Sequence, residues 1–182
     1  MRHLPHLLTL LRLLASPVLV WLLIQSRFRE ALGLAVLAGL TDWFDGYAAR
    51  KLNVTGRLGV ILDPLADKIM LVTLFVALTI VGLIQGWLLG LVIGRDLIIL
   101  TGALLLRIFR GIHKFLPSTL GKVSTFFQIM LVLMVLLNSA FRYRLFFWLE
   151  ITAILLCAFF TAFSGLDYIR KGIQMTRRQW QA

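Results

Sequence analysis

Acidic residues, cysteine and histidine are scarce in this chain. Among 182 residues there are eight Asp and Glu against 19 Lys and Arg, one cysteine and three histidines. Because a disulfide joins two cysteines, Cys157 alone excludes a disulfide within the chain, and its apolar neighbours favour a small packed side chain. His3 and His113 lie in basic segments without metal-ligand spacing, which favours solvated surface residues over metal ligands.

Charged side chains of either sign are also few. They make up 15% of the chain, whereas 60% of it is hydrophobic and the mean hydropathy is +0.91. This composition lies far outside the range of soluble globular proteins. No low-complexity tract, internal repeat or long polar linker stands out in the sequence. We therefore expect a single domain over residues 1–182, with little chain left for a soluble part.

Apolar stretches long enough to cross a bilayer recur along the chain. A spanning helix needs about 20 mostly apolar residues. Six stretches meet this need, at roughly 5–24, 31–49, 65–84, 87–106, 120–138 and 145–167. We predict an all-α integral membrane protein with six transmembrane helices in one bundle and a two-residue turn at 85–86. Arg12 interrupts the first apolar run, and no A-x-A-like cleavage site follows, which argues against a signal peptide.

The basic residues are unevenly distributed between the predicted loops. With a cytoplasmic N-terminus, thirteen Lys and Arg fall on inner segments, whereas the outer loops hold only Arg27, Arg29, Arg142 and Arg144. By the positive-inside rule this distribution predicts cytoplasmic N- and C-termini, as in a bacterial inner membrane. Because the charge is spread over segments that flank the membrane, we expect membrane lipids and no nucleic acid as partners.

Half of the acidic residues lie within one stretch, "TDWFDGYAARKLNVTGRLGVILDPLADK", residues 41–68. Asp42 and Asp45 are three apart near the end of the second predicted span, and Asp63 and Asp67 are four apart at the start of the third. Both spacings place a pair on one helical face. A tight connection between antiparallel helices would bring the two faces together at the inner edge of the membrane.

Four carboxylates at a membrane edge need a compensating partner, because like charges near a low dielectric repel. Their oxygens suit hard divalent cations such as Mg²⁺, Mn²⁺ or Ca²⁺. Four aspartates suffice to bridge two ions, which can stabilise attacking and leaving oxygens in phosphoryl chemistry. The alternative is ion pairing with the neighbouring basic residues, which are Arg50, Lys51, Arg57 and Lys68. Gly46 and Gly59 leave space where a large ligand would approach the backbone.

The aspartates belong to a longer pattern, Asp42-x-x-Asp45-Gly46-x-x-Ala49-Arg50, then eight residues, then Gly59-x-x-x-Asp63-x-x-x-Asp67. This pattern resembles the complete signature of the CDP-alcohol phosphatidyltransferases, with every position matched and the spacing intact. The similarity extends over nearly the whole chain. The resemblance implies a six-helix membrane fold that is commonly dimeric, so a homodimer is expected, with its active site at the cytoplasmic face.

The resemblance also implies a reaction. The donor would be CDP-diacylglycerol, an acceptor hydroxyl would attack the phosphorus on the lipid side, and CMP would leave. In similar proteins the four aspartates hold two divalent metal ions, Mg²⁺ or Mn²⁺, and the last one, here Asp67, is the proposed general base. Gly46, Ala49 and Gly59 would line the nucleotide site, and Arg50 would contact the donor's phosphates. A positioned base helps because a hydroxyl is a weak nucleophile.

Two basic residues are candidates for binding the acceptor. Arg95 lies beside Asp96 within the fourth predicted span, where a charge pair without a use is costly. Lys122 lies at the cytoplasmic start of the fifth. In similar proteins, basic residues at corresponding places form the acceptor pocket. Mutual compensation with other helices is the alternative for Arg95.

The sequence around these two residues bears on the acceptor's identity. The runs "GRDLI" and "LPSTLGKVSTFFQ" look closer to the cardiolipin synthases of the family, whose acceptor is phosphatidylglycerol. The phosphatidylglycerophosphate synthases, which use glycerol 3-phosphate, usually have Arg-Glu where this chain has Arg95-Asp96. The comparison favours phosphatidylglycerol slightly. His6 departs from the opening segment of the family, where Asn is usual.

Other classes of protein also place acids in membranes. A divalent-cation channel or transporter would line an ion path with carboxylates. It would place them near the pore axis or mid-membrane, whereas these aspartates cluster at one surface beside glycines and arginines. A noncatalytic scaffold would bind the CDP-linked lipid without turnover.

Glycine recurs at every fourth position from 82 to 94, at Gly82, Gly86, Gly90 and Gly94. Small residues at this spacing let helices approach closely in membranes. The stripe predicts tight packing within or between subunits, and room for a lipid chain is the alternative.

Overall fold

The computed structural model describes residues 4–52, 59–110 and 119–178, and every regular element in these ranges is an α-helix. The six helices are α1 (Leu4–Ile24), α2 (Phe28–Leu52), α3 (Gly59–Ile80), α4 (Gly86–Arg110), α5 (Thr119–Phe141) and α6 (Arg144–Arg178). The predicted all-helical architecture is confirmed for these residues. Five of the six predicted apolar stretches fall entirely on one helix, whereas the third, 65–84, runs past the end of α3 at Ile80. Helix α6 continues well past its predicted limit at residue 167.

Three helices are followed by a residue in the left-handed backbone conformation. These residues are Ser26 after α1, with φ 57°, Gly82 after α3, with φ 79°, and Arg142 after α5, with φ 53°. After α3, the N–H groups of Gly82 and Leu83 donate to carbonyls of the last turn, at 3.0 and 2.9 Å. These bonds satisfy carbonyls that the end of a helix leaves without a partner, and they turn the chain away from the helix axis.

The connection between α3 and α4 starts earlier than the sequence predicts. The turn expected at 85–86 is wrong, because α3 ends at Ile80 and Gly86 is already the first residue of α4. Glycine adopts the left-handed conformation without the steric penalty of a Cβ. Gly82 therefore ends the helix, although the apolar run continues to residue 84.

Contacts divide the chain into two units, and each is described by itself. The first unit comprises Met1–Ile84 and Val132–Phe147. Within it, α1 packs against both α2 and α3. Leu19, Leu23 and Phe75 are completely buried in this unit, and Ser16 of α1 is buried as well, so its core is mainly apolar.

The second unit comprises Gln85–Leu131 and Trp148–Ala182. It holds α4, the first part of α5 and most of α6. Leu88 and Val92 are completely buried there. Several polar side chains are also buried in this unit, which are Arg95, Ser124, Gln128, Thr161 and Ser164.

Two helices within the described residues are long and apolar enough to cross a membrane. They cover Thr119–Phe141 and Arg144–Gln174, and shorter apolar segments cover Leu14–Ile24 and Lys68–Ile80. Many large apolar side chains are exposed along the helices, which a soluble monomer rarely shows over contiguous areas. Examples are Trp21, Ile80, Leu100, Ile108 and Leu155. These observations support a membrane protein, and six spans with cytoplasmic termini stay a prediction.

The glycines of α4 face open space. A Cβ placed on Gly86, Gly90 or Gly94 would meet no heavy atom within 4 Å. Tight packing at these positions is therefore not found within the described part of the chain. Packing between subunits stays a prediction, as does the alternative of room for a lipid chain.

Candidate functional site

The signature residues lie in two helices of the first unit. Asp42, Asp45, Gly46, Ala49 and Arg50 lie in the second half of α2. Gly59 is the first residue of α3, and Asp63 and Asp67 follow one and two turns later. The connection between the two helices, residues 53–58, lies outside the described part of the chain, as do the side chains of the four aspartates.

The backbone supports one part of the predicted site geometry, which is the placement of each aspartate pair on one face of a helix. Since both segments are helical, a spacing of three in α2 and of four in α3 places each aspartate pair on one face of its helix. The packing of α1 against α2 and α3 puts both helices in one unit. The meeting of the two pairs around a shared centre stays a prediction. Among the side chains that the structure describes, no group of three or more His, Cys, Asp and Glu is placed to hold a metal ion.

The donor set fits hard divalent cations on chemical grounds. Carboxylate oxygens are the ligands that Mg²⁺ and Mn²⁺ prefer. Helical pairs three and four apart present two carboxylates from each helix to one side. The residues that would hold such ions are Asp42, Asp45, Asp63 and Asp67.

Arg95 is the centre of a second cluster, which lies in the other unit. Its side chain reaches from α4 to both α5 and α6. Nε and Nη2 donate to Oγ of Ser164, at 3.2 and 3.0 Å, and Nη2 also donates to the carbonyl of Gly121, at 3.2 Å. Nη1 donates to Oδ1 of Asp96, at 2.9 Å, and the guanidinium carbon lies 5.7 Å from the centre of the Tyr168 ring. We call Arg95, Gly121, Ser164 and Tyr168 the Arg95 node.

Burial and close contact hold the node in place. Arg95 is only 8% exposed, and Ser164 and Tyr168 are buried as well. A Cβ on Gly121 would lie 2.9 Å from Nη2 of Arg95 and 3.0 Å from Oη of Tyr168. These distances are shorter than ordinary Cβ contacts, so a side chain at this position would force Arg95 and Tyr168 to shift.

The geometry of the Arg95 node fits two roles, which are binding an anion and joining three helices. A buried guanidinium that its hydrogen-bond partners hold in place is pre-organised to bind an anion such as a phosphate. The same contacts tie α4, α5 and α6 together, as the alternative interpretation of Arg95 requires. Lys122, the second acceptor candidate, follows Gly121 in α5 and is exposed.

Sequence reasoning found Arg95 but missed the residues that hold it. A signal was present in α6, where Cys157, Thr161, Ser164 and Tyr168 recur at intervals of four, three and four. This is the spacing of a single helical face. All four are buried. On α5, Gly121, Ser124 and Gln128 repeat the pattern at intervals of three and four.

The two stripes meet in a buried polar cluster beyond the node. Oγ of Ser124 lies 3.1 Å from Oγ1 of Thr161. Nε2 of Gln128 donates to the same Thr161 oxygen, at 3.3 Å, and Sγ of Cys157 lies 3.9 Å from it. Polar contacts therefore run along the α5–α6 interface, where buried hydroxyl and amide groups satisfy one another.

Comparison with known proteins places the chain in a family. The family described as CDP-alcohol phosphatidyltransferase matches residues 2–163. This range contains the whole aspartate signature, Arg95 and Lys122.

Curated relatives carry two kinds of name. The chain is 36% identical to the Homo sapiens protein named cardiolipin synthase (CMP-forming), over 92% of this chain and 61% of that protein. It is 31% identical to the Aquifex aeolicus (strain VF5) protein named CDP-diacylglycerol–glycerol-3-phosphate 3-phosphatidyltransferase, over 95% of this chain and 97% of that protein. Several relatives are much longer, and the chain spans 47% to 63% of the length of three of them.

Proposed function

Because the chain belongs to the CDP-alcohol phosphatidyltransferase family, we propose that it transfers the phosphatidyl group of CDP-diacylglycerol to an acceptor hydroxyl and releases CMP. The observation that carries the proposal is the family match over residues 2–163, which encloses all eight signature residues. The proposed setting is a bacterial inner membrane, with the reaction at the cytoplasmic face and the chain acting as a homodimer.

We propose phosphatidylglycerol as the acceptor, which would make the product a cardiolipin. The runs around Arg95 and Lys122 support this choice, and so does the similarity to the human protein named cardiolipin synthase. Glycerol 3-phosphate is the second candidate. The Aquifex relative supports it, because that protein carries a glycerol-3-phosphate name and matches this chain over 97% of its own length.

Each signature residue has a part in the proposed reaction. Arg50 binds the donor's diphosphate, since guanidinium groups pair well with phosphate oxygens. Gly46, Ala49 and Gly59 leave room for the nucleotide beside the two helices. Two ions of Mg²⁺ or Mn²⁺ held by Asp42, Asp45, Asp63 and Asp67 would neutralise the negative charge of the diphosphate.

Asp67 is the proposed general base. It accepts the proton of the acceptor hydroxyl as the acceptor oxygen bonds to the phosphorus on the lipid side. The bond between that phosphorus and the oxygen bridging to CMP breaks, and CMP leaves with the electron pair. A carboxylate near a metal ion has a low proton affinity, so its position beside the hydroxyl must carry much of the effect.

The decisive experiment measures CMP release by the purified chain in detergent or vesicles. CDP-diacylglycerol is supplied with Mg²⁺ or Mn²⁺, and phosphatidylglycerol, glycerol 3-phosphate, serine and inositol are offered separately. We expect phosphatidylglycerol to release CMP fastest, exhaustive chelation to stop the reaction, and added metal to restore it. Asp67→Asn should abolish release while the protein elutes as a folded species.

The control and the contrary outcomes are as follows. Asp167→Asn changes an acid outside the signature, which pairs with Lys171 at 2.7 Å, and it should retain turnover. Turnover that persists in Asp67→Asn removes the base assignment. Metal flux into liposomes without CMP release would instead favour a cation channel or transporter.

Arg95 is proposed to bind the phosphate of the acceptor. We expect Arg95→Gln to raise the apparent KM of the acceptor more than that of CDP-diacylglycerol, because the lost guanidinium serves only one substrate. Steady-state kinetics with each substrate varied in turn give the two values. Equal changes in both would assign Arg95 a structural role only, and thermal unfolding of the same variant measures that role.

A further inference from the structure

The four arginines of the predicted outer loops gather at one end of the first unit. They lie in or beside the turn between α1 and α2 and the turn between α5 and α6. Nε of Arg29 donates to the carbonyl of Ala140, at 3.2 Å, across 111 positions of the sequence. The guanidinium carbon of Arg29 also lies 5.7 Å from the centre of the Phe141 ring. The two turns therefore form one surface.

Aromatic rings make up the rest of this surface. The centre of the Phe141 ring lies 6.4 Å from that of Tyr143 and 6.1 Å from that of Phe146, and Tyr143 and Phe146 are 5.8 Å apart. Phe141 and Tyr143 are 42% and 64% exposed. We call residues 27–29 and 141–146 the basic–aromatic collar. Aromatic rings with one apolar face and one wet edge concentrate at the level of lipid head groups.

Two of the four arginines already interact with other residues of the protein. Arg27 pairs with Glu30 at 2.8 Å, and this hydrogen bond lowers the pKa of Glu30, so the pair is charged at neutral pH. Arg29 is engaged with Ala140 and the Phe141 ring.

Arg142 and Arg144 are both exposed, and neither shows an ion pair with an acid of the described residues. The collar therefore carries unneutralised positive charge.

The backbone gives a separate indication at Arg142. Its φ is 53°, a conformation that costs a residue with a Cβ about 1–2 kcal/mol. Glycine or asparagine would occupy this position with less strain. An arginine in this strained conformation, on a predicted outer loop where basic residues are disfavoured, points to a use for its charge.

We propose that the basic–aromatic collar binds the head-group phosphate of an anionic phospholipid in the membrane leaflet at this end of the protein. Arg142 and Arg144 supply the charge, since guanidinium groups match phosphate oxygens in geometry, and the rings of Phe141 and Tyr143 pack along the lipid near its head group. The collar is separate from the aspartate signature, because Arg29 and Asp42 are thirteen positions apart on α2, or about 20 Å of helix.

The proposal is tested with a photoreactive side chain beside the collar. Benzoylphenylalanine replaces Leu145, which is 65% exposed, in the full-length chain. The protein is placed in phosphatidylcholine vesicles that contain a trace of radiolabelled phosphatidylglycerol or, in a matched set, radiolabelled phosphatidylcholine with the same acyl chains. Without CDP-diacylglycerol no turnover occurs. The radioactivity cross-linked to the protein therefore reports only the lipid that lies beside position 145.

We expect phosphatidylglycerol to label position 145 on the order of five-fold or more above phosphatidylcholine, since one arginine near the membrane surface contributes about that factor. The double variant Arg142→Gln/Arg144→Gln should bring the ratio close to one. Arg170→Gln, which removes an exposed arginine elsewhere on α6, should leave the ratio unchanged. High salt should reduce the ratio in the protein with all its arginines, which gives a second measurement if the double variant does not fold.

Three results would overturn the proposal. One is equal labelling by the two lipids. Another is a preference that survives the loss of both arginines, or that salt does not reduce. The third is an equal preference for phosphatidylglycerol when the photoreactive group replaces Leu155, which is 65% exposed in an apolar part of α6, because the preference would then be a property of the whole surface.

Discussion

Arg95 is a charged residue whose burial has a clear physical solution. An uncompensated guanidinium inside a helix bundle would cost several kcal/mol, yet this one is only 8% exposed. Hydrogen bonds to Ser164, Gly121 and Asp96 supply the compensation. These partners come from α4, α5 and α6, so the residue links three helices.

Gly121 should be the least replaceable glycine among those described. In Gly121→Ala the new Cβ would meet Arg95 and Tyr168 at 2.9 and 3.0 Å, and both neighbours are held by burial. We expect a loss of about 1–3 kcal/mol in the free energy of unfolding, the usual cost of overpacking. The free energies of unfolding of the variant and the unchanged protein are compared by titrating SDS into both in one mild detergent.

The matched control is Gly33→Ala in α2, outside the glycine stripe, where a Cβ would meet nothing within 4 Å. This change should stabilise the protein by roughly 0.5–1 kcal/mol, because alanine loses less backbone entropy in a helix. If the two variants had the same stability, the close contact at Gly121 would have no energetic consequence.

Single residues differ in how far the sequence predicts them. Asp42, Asp45, Asp63 and Asp67 could be found because acids are rare in an apolar chain and the spacing matches a known signature. Arg95 could be found because charged residues are rare within the apolar stretches. Ser164 could not, because a serine in an apolar helix is common and its role depends on which residue lies opposite.

The helices show how local chemistry sets the ends of elements. Apolar content predicts where a helix crosses a membrane, but it does not predict where the helix stops. Gly82 ends α3 in the left-handed conformation although apolar residues follow. Hydropathy alone therefore placed the α3–α4 turn too late, whereas attention to a glycine capable of positive φ would have placed it earlier.

The α5–α6 interface should depend on its buried hydroxyl groups. Thr161→Val keeps the shape of the side chain but removes the oxygen near Ser124 and Gln128. We expect a loss of about 0.6–2 kcal/mol in the free energy of unfolding, the range for hydrogen bonds between helices in membranes. Thr152→Val is the control on the same helix, since its exposed hydroxyl only donates to the carbonyl of Trp148. A similar loss in both variants would show that β-branched packing, and not the polar cluster, sets the stability.

At the scale of the whole molecule, charge distribution predicts orientation. The positive-inside rule puts both termini and the aspartate signature in the cytoplasm and the collar outside. The native cysteine does not interfere with a labelling test, because Cys157 is completely buried.

A cysteine introduced at either end of α6 tests this orientation. We expect Tyr143→Cys to react with a membrane-impermeant maleimide in intact cells, and Gln174→Cys to react only after permeabilisation. Both positions are exposed. The opposite pattern would invert the topology and place the aspartates on the outer face.

By itself, the sequence determined that this is a helical membrane protein with a clustered set of acids and the signature of its family. These features depend on composition and on spacing along one helix, which are local properties of the chain. The tertiary structure decided which side chains hold Arg95, why a side chain at Gly121 would crowd Arg95 and Tyr168, and which two turns join to form the collar. Such contacts link residues as far as 111 positions apart, and they arise only when packing brings separate helices together.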